Sequence, residues 1–286
     1  MSDDGRYAIV LIAFIGSVFS PYYASARRRG PTDPCNHAAL NVALYGDGVR
    51  RWTMTERGTA SLQRDATTLQ VGPSALRWED AVLVIDLDEI AMPIPRRVRG
   101  RIRLEPLQGA LAPQALDAPA RHRWQPLAPR ARVTVDFDAP ALHWSGDGYL
   151  DANWGDEPLE KTFTSWQWSR TALPDNGSLL RYDTRARDGT VQSLNLRLHA
   201  DGSHERRAAP PTAALPGSRW GIAREAETGS RLIQTLEDGP FYARSLLETP
   251  WGDQSLPTMH ESLSLARFSS RWVQAMLPFR MPRPGF

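Results

Sequence analysis

The sequence has a single cysteine, Cys35, so no disulfide can form within its 286 residues. Its charges nearly cancel, because 34 Lys and Arg stand against 32 Asp and Glu, for a formal net charge of +2. Nucleic-acid binding depends on a concentrated positive field that displaces counterions, so this balance predicts that nucleic acid is not a partner. The six histidines are scattered, and neither His-Glu-x-x-His nor Cys-x-x-Cys occurs. A metal site is therefore unsupported.

Long hydrophobic runs are also missing. The most apolar stretch, residues 8–19, has twelve residues, whereas a membrane-spanning helix needs about 20. A signal peptide is disfavoured because Asp3 and Asp4 make the preceding segment acidic, although Ala24-Ser25-Ala26 resembles a cleavage site. The many β-branched and aromatic residues of the stretch favour a buried β-strand instead.

Several catalytic motifs are absent. No Gly-x-Ser-x-Gly elbow, Walker loop or dinucleotide-binding glycine motif occurs, which argues against the corresponding hydrolases and nucleotide-binding proteins. Asp156 and Glu157 are adjacent carboxylates, but neighbours on a strand point to opposite faces, so a glycosidase pair is disfavoured. The run Arg27-Arg28-Arg29-Gly30 is interpreted as a solvated turn or a weak contact for anionic lipid.

Turn signals and period-two patterns dominate what is present. The chain has 23 Pro and 21 Gly, and Asp-Gly or Asn-Gly pairs recur between stretches of alternating apolar and polar residues. Such alternation predicts antiparallel strands with one buried face. The predicted strands are residues 37–45, 51–56, 81–87, 97–104, 132–137, 163–168, 180–187, 194–200, 220–225, 231–235, 241–247 and 261–266.

One hairpin is specific enough to predict its register. A three-residue loop at residues 188–190 would pair Tyr182 with Leu196 and Thr184 with Leu194, keeping apolar residues on one face. This loop requires Gly189 in the left-handed conformation.

Helix is scarce in the predicted structure. Only residues 269–277 show a short amphipathic helical pattern, and Pro278 ends it. The Pro- and Ala-rich residues 111–120 are interpreted as a linker. The expected fold is all-β, with two antiparallel β-barrel domains at residues 1–118 and 119–286.

Candidate functional side chains are densest between residues 122 and 168. This stretch contains five of the ten tryptophans, and on strands the pairs His122 with Trp124 and Tyr149 with Asp151 each point to one face. These residues are candidates for the wall of a site. The alternative left open here is that the tryptophans fill a core and that Asp151 caps a turn.

Four strings resemble bacterial carotenoid 1,2-hydratases, and together they cover most of the first two-thirds of the chain. They are Gly16-Ser17-Val18-Phe19-Ser20-Pro21-Tyr22-Tyr23 with Ala26-Arg27-Arg28-Arg29-Gly30, Asn36-His37 to Asn41-Val42-Ala43-Leu44-Tyr45-Gly46, Met54-Thr55-Glu56-Arg57-Gly58, and Gly148-Tyr149-Leu150-Asp151-Ala152-Asn153-Trp154-Gly155. The resemblance implies two lipocalin-like β domains, no cofactor, and a hydro-lyase that adds water to the C1=C2 bond of acyclic carotenoids. Lycopene and neurosporene are the implied substrates, in the synthesis of spheroidene- or spirilloxanthin-type pigments of photosynthetic bacteria.

The resemblance also implies a catalytic set. Asp151, protonated because an apolar pocket raises its pKa, would protonate C2, and Tyr149 and Trp124 would face the resulting cation. His122 would hydrogen-bond the acid and accept the proton of the captured water. Trp154 and His143 are weaker candidates for supporting roles.

Three further expectations accompany the resemblance. Family members usually carry a strand rich in Trp and Tyr before the match, so the first domain is expected to lack its opening strand. The protein is expected to be cytoplasmic and peripheral on the inner or intracytoplasmic membrane, through residues 271–280. The alternatives are a non-catalytic lipocalin-like carotenoid carrier and a pericyclase-like enzyme on a related scaffold.

Overall fold

The computed structural model describes residues 1–284. Strands account for 57% and helices for 11% of it, and the large sheets are antiparallel. The prediction of an all-β chain with little helix is confirmed. The two-residue alternation that led to this prediction is also present in the structure. In the strand Ser178–Ala186, for example, buried and partly exposed side chains alternate.

The N-terminal half forms two antiparallel sheets. The first contains β1 (Tyr7–Ile15), β2 (Ala38–Gly46) and β3 (Val49–Arg57) in that order. The second has the order β11-β10-β8-β7-β6-β5-β4, with β9 paired to β10. Its strands are β4 (Leu62–Arg64), β5 (Thr68–Val71), β6 (Ser74–Glu79), β7 (Val82–Ala91), β8 (Arg96–Pro106), β9 (Gln114–Ala115), β10 (His122–Ala139) and β11 (Ala141–Gly155).

The remaining strands form a third sheet of order β15-β14-β13-β12-β20-β19-β18 and a separate hairpin of β16 and β17. Their bounds are β12 (Phe163–Ala172), β13 (Ser178–Ala186), β14 (Val191–Leu198), β15 (His204–Arg206), β16 (Thr212–Ala214), β17 (Glu225–Glu227), β18 (Arg231–Asp238), β19 (Tyr242–Trp251) and β20 (Gln254–Ser264).

Helices are short: α1 (Pro21–Arg29), α2 (Leu159–Thr162), α3 (Leu265–Phe268) and α4 (Arg271–Met276), with 3-10 turns at Pro34–Asn36, Thr59–Ser61 and Leu277–Phe279. The helix predicted at 269–277 is present as α4, although shorter. The interpretation of the arginine run as a solvated turn is wrong, because it forms the last turn of α1. Ser20 caps this helix and Pro21 occupies its first turn, and cations at a helix C-terminus are stabilised by the helix dipole.

Two strand predictions fail in part. Of residues 220–225 only Glu225 is in a strand, because the Ser218 hydroxyl accepts the N–H of Ile222 at 3.0 Å and so replaces ladder pairing. The strand predicted at 261–266 ends at Ser264, whose side chain caps α3. The strand predicted within residues 8–19 is present as β1.

The hairpin of β13 and β14 has a three-residue loop, as predicted, but its position differs by one residue. Ala186 and Thr190 close the loop, and Gly189 has a φ of 89°, the left-handed conformation expected. Tyr182 therefore lies opposite Leu194 and not Leu196. A shift of two residues keeps every side chain on its original face, so the alternation alone cannot distinguish the two registers.

Contacts divide the chain into two units. The first contains Met1–Leu107, Ala131–Tyr149 and the chain from Gln274, and the second contains Gln108–Arg130 and Leu150–Val273. These bounds differ from a single cut after residue 118, because the long strands β10 and β11 each contribute to both units. The assignment of domains at 1–118 and 119–286 stays a prediction.

Candidate active site

A carboxyl group and an indole are joined directly in the second unit. Trp124, near the start of β10, is fully buried, and its Nε1–H donates a hydrogen bond to Oδ2 of Asp151 in β11 at 2.8 Å. Asp151 itself is partly exposed. The indole therefore fixes the orientation of the carboxyl group while leaving part of this residue accessible.

Two further aromatic rings extend the wall beside this pair. The ring of Tyr182, in β13, lies edge-on at 5.4 Å from Trp124 and 5.7 Å from Trp166, measured between ring centroids. Such edge-to-face contacts are favourable for aromatic pairs. Trp124, Tyr182 and Trp166 thus form a continuous aromatic wall, contributed by three different strands.

Tyr182 was not a predicted site residue, although its inward position followed from the period-two pattern. Burial is the main cause that raises the pKa of Tyr182 well above its usual value, and the nearby carboxyl groups of Asp151 and Glu261 act in the same direction when they are ionised. The phenol is consequently neutral, and both carboxyl groups are within electrostatic reach of it. The sequence pattern identified the buried face but not which of its members meets Asp151.

Tyr182 belongs to a row of directly paired residues that runs across four strands. Tyr182 lies opposite Trp168, Trp168 opposite Glu261, and Glu261 opposite Arg244. The Arg244 Nε–H donates to Glu261 Oε1 at 2.8 Å, and the Arg244 side chain is 1% exposed. This row brings a buried ion pair to the same sheet face as the aromatic wall.

His122 lies beside the aromatic wall but is placed differently from the expectation. Its Nε2 is 3.2 Å from Oγ1 of Thr162, and its ring packs on Phe163 at 5.0 Å between centroids. Its Nδ1 is buried without a hydrogen-bond partner among the described residues, and it faces Gly155, where any Cβ would collide with it. The expected hydrogen bond from His122 to Asp151 is therefore not formed.

The bonding around His122 assigns its tautomer. The Thr162 hydroxyl donates to Glu157 at 2.7 Å, so its oxygen accepts from the N–H on His122 Nε2. Nδ1 then carries the lone pair. Burial is the main cause that lowers the pKa of His122, which keeps the imidazole neutral.

The other predicted residues are dispersed. Tyr149 is half-buried and lies two residues before Asp151 on β11, so the strand directs both to one face. His143 has a side chain that is 72% exposed, and its Nδ1 is 3.6 Å from Asp136. Trp154 is 41% exposed. His143 and Trp154 are therefore surface residues.

A polar pocket lies on the opposite face of the third sheet. Its lining includes Arg181, Asp183, Glu227 and His260. The buried His260 ring has its Nε2 at 2.9 Å from the carbonyl oxygen of Glu225, and its Nδ1 has no partner among residues 1–284. Because strand residues alternate between faces, this pocket is separate from the aromatic wall.

Residues 1–284 contain no group of three or more His, Cys, Asp or Glu side chains arranged to hold a metal ion. Within the same residues, no helix combines the length and the apolar character that a bilayer crossing requires.

Antiparallel sheets that bring the carboxyl groups of Asp151 and Glu261 beside aromatic rings place this chain in the class of all-β proteins. The model of the family described as Carotenoid hydratase CrtC matches residues 11–285. The chain belongs to the carotenoid hydratase family, which confirms the resemblance found in the sequence.

Individual proteins agree with this assignment. Acyclic carotenoid 1,2-hydratase of Thiocapsa roseopersicina is 53% identical over 100% of this chain and 71% of its own length. The protein of the same name from Cereibacter sphaeroides is 41% identical, over 96% of this chain and 99% of its own. A solved structure described as AttH from Nitrosomonas europaea is 14% identical, with a TM-score of 0.63 over 92% of this chain and 88% of its own. That structure supports the fold alone.

Proposed function

We propose that this protein adds water to the C1=C2 bond of acyclic carotenoids such as lycopene and neurosporene, acting as a hydro-lyase without a cofactor. Family membership and the names of its relatives support the reaction. The observation that carries the assignment of the site is the hydrogen bond between Trp124 and Asp151 beside a wall of aromatic rings.

Proton transfer begins the reaction. An isolated trisubstituted alkene has no carbonyl to polarise, so a neutral acid must deliver a proton to C2 and leave a tertiary cation at C1. Asp151 is the proposed acid. Because Oδ2 accepts the indole N–H of Trp124, the transferred proton is assigned to Oδ1.

The aromatic wall is proposed to stabilise the cation. Tyr149 and Trp124 are the residues implied by the family, and Tyr182 and Trp166 extend the same wall. A desolvated cation over an aromatic face gains about 2 kcal/mol. Neutrality of the Tyr182 phenol matters here, since a phenolate would attract and react with the cation.

Water then attacks C1, and the resulting oxonium must lose a proton. His122 is the acceptor that the family resemblance implies; because its lone pair at Nδ1 is buried against Gly155, proton transfer to it requires a local movement of that segment. Return of that proton through water to Asp151 restores the starting charges. The overall change is one water added, one C–H bond formed at C2 and one C–O bond formed at C1.

Isotope incorporation tests this proposal. Purified protein is incubated with lycopene in liposomes, in D₂O and separately in H₂¹⁸O. The expected product is heavier by one water, with deuterium at C2 and ¹⁸O at C1. Bound but unchanged carotenoid would support the carrier alternative, and an isomer without added water would support the pericyclase-like alternative.

We also propose that the protein attaches peripherally to the cytoplasmic side of the inner or intracytoplasmic membrane. The substrate dissolves in lipid, and the segment 271–280 exposes Trp272, Met276 and Phe279 while Val273 is buried. Replacing Trp272 and Met276 by serine should weaken binding to vesicles without loss of the fold. Unchanged vesicle binding would remove this segment from the proposal.

A further inference from the structure

A pocket rich in arginine lies in the first unit, apart from the residues assigned to hydration. It has a volume of about 250 Å³ and combines four cations with apolar side chains. Its lining is Arg50, Arg51, Trp52, Ala91, Met92, Pro93, Ile94, Arg96 and Arg280. No acidic side chain is among these lining residues.

Two of the arginines are close together without a compensating carboxylate. Neither Arg51 nor Arg96 forms an ion pair with an acidic side chain in residues 1–284, and Arg51 Nε is buried without a partner. Burial, followed by the positive charge of Arg96, lowers the pKa of Arg51. An anion placed here would remove this repulsion and supply the missing hydrogen-bond acceptor.

A third arginine is positioned for a two-point contact with an anion. The guanidinium carbon of Arg280 is 4.1 Å from the centre of the Trp52 ring. Stacking on an indole restrains the guanidinium while its N–H groups, which lie in the guanidinium plane, remain directed sideways. Phosphate oxygens are the partners that match this donor geometry.

Apolar side chains adjoin the arginines. Ile94, at the turn between β7 and β8, lines the pocket and is 67% exposed, and Phe279, next to Arg280, is 75% exposed. Exposed aliphatic and aromatic groups beside cations are typical of surfaces that enter the interface of an anionic bilayer. A site for freely soluble phosphate would not require these exposed apolar side chains.

We propose that this pocket binds the phosphate of an anionic phospholipid headgroup, with Ile94 and Phe279 entering the lipid beside it. The site goes beyond the proposed hydration and does not depend on it. It shares Arg280 and Phe279 with the segment 271–280, so it deepens the membrane attachment proposed above, and it adds the cations of β3 and the start of β8.

Co-sedimentation with vesicles tests the site in the full chain without carotenoid. Binding to phosphatidylcholine vesicles is compared with binding to the same vesicles containing phosphatidylglycerol. The variant Arg51→Gln with Arg96→Gln should bind the anionic vesicles at least about tenfold more weakly. The matched control, Arg64→Gln with Arg103→Gln, removes the same charge from exposed arginines of the same unit and should bind nearly as the parent does.

Two further measurements distinguish a lipid headgroup from free inorganic phosphate. Ile94→Ser with Phe279→Ser should weaken vesicle binding, and inorganic phosphate should compete no better than chloride at equal ionic strength. Thermal melting confirms that each variant is folded. Equal losses in the arginine pair and its control would overturn the proposal, as would equal binding to neutral and anionic vesicles. Displacement by inorganic phosphate, with no effect of the serine pair, would assign the pocket to free phosphate and overturn the lipid.

Discussion

Asp151 is oriented by the indole of Trp124, whose Nε1–H donates to Oδ2 at 2.8 Å. Trp124 is also one of the rings proposed to stabilise the cation, so in the proposed mechanism the acid and a cation stabiliser are coupled through one side chain.

Asp151→Asn tests whether this residue is the proton donor. An amide cannot protonate an alkene, so hydration should be abolished, while carotenoid binding should persist because shape and apolarity are nearly preserved. The measurements are product formation, carotenoid binding and thermal stability of the same preparation. Substantial hydration by a folded Asp151→Asn variant would contradict the assignment.

Trp124→Phe tests the orientation of the acid. The change keeps an apolar ring in the buried position but removes the N–H donor to Asp151. We expect kcat to fall about fivefold, with a smaller change in KM, because loss of one such hydrogen bond costs roughly 1 kcal/mol. An unchanged kcat with reduced stability would assign Trp124 to packing only.

Tyr182 allows the ring and the hydroxyl to be separated. Tyr182→Phe keeps the aromatic ring and its edge-to-face contacts with Trp124 and Trp166, and it should retain kcat within a few-fold. Tyr182→Leu removes the ring and should lower kcat roughly thirtyfold, corresponding to about 2 kcal/mol of cation stabilisation. If both variants lose the same activity, the hydroxyl and not the ring is the functional group.

The fold was largely predictable because a buried sheet face imposes a two-residue period. That period identified β13 and β14, and it placed Tyr182 inward. It could not fix the register between them, because a shift of two residues leaves both faces unchanged. It also missed α1, whose Ser-Pro start is a short-range signal within a sequence otherwise dominated by strands.

The candidate site was predictable only in its composition. Similarity to the family selected Trp124 and Asp151, and the structure shows their contact. The partners of His122 were not predictable, because Thr162 is forty positions away and its hydroxyl has no distinguishing pattern. Tyr182 and Glu261 were missed for the same reason, since only the three-dimensional pairing of β12 with β13 and β20 brings them beside Trp168.

Motifs that carried the resemblance also meet in the first unit. Glu56 is 1% exposed, and its Oε1 is 2.7 Å from His37 Nδ1 and in contact with Arg283. The backbone N–H of Glu56 also donates to the carbonyl of Pro282 at 3.0 Å. These residues therefore anchor the end of the described chain to β3, which gives the motifs a structural role.

Arg283→Met should destabilise the protein by about 3–5 kcal/mol, because it removes the cation paired with a buried carboxylate. Adding Glu56→Gln should recover part of that loss, since the uncompensated charge is then absent. Unfolding in denaturant measures the free energy for the parent, both single variants and the pair. Additive losses in the pair would contradict the coupling.

His260 predicts how stability changes with pH. Burial lowers the pKa of His260 from 6.5 to about 4, because protonation would place a charge on the buried Nδ1. Between these values the unfolded chain binds a proton that the folded chain does not, so stability falls as the pH is lowered from about 6.5 to about 4. Below about 4 both states are protonated and this group contributes no further loss. The difference amounts to about 3 kcal/mol.

The variant His260→Gln removes this titration while offering an amide N–H to the Glu225 carbonyl that His260 Nε2 now contacts. Its free energy of unfolding should therefore decline less than that of the parent between pH 7 and pH 4.5. The remaining decline includes the contribution of His122, because burial also lowers the pKa of that histidine. His143→Gln, at an exposed position, is the matched control and should keep the parental slope. Denaturant unfolding at several pH values supplies the comparison. Parallel slopes for the parent and His260→Gln would show that the ring is protonated in the folded state, with Nδ1 open to water.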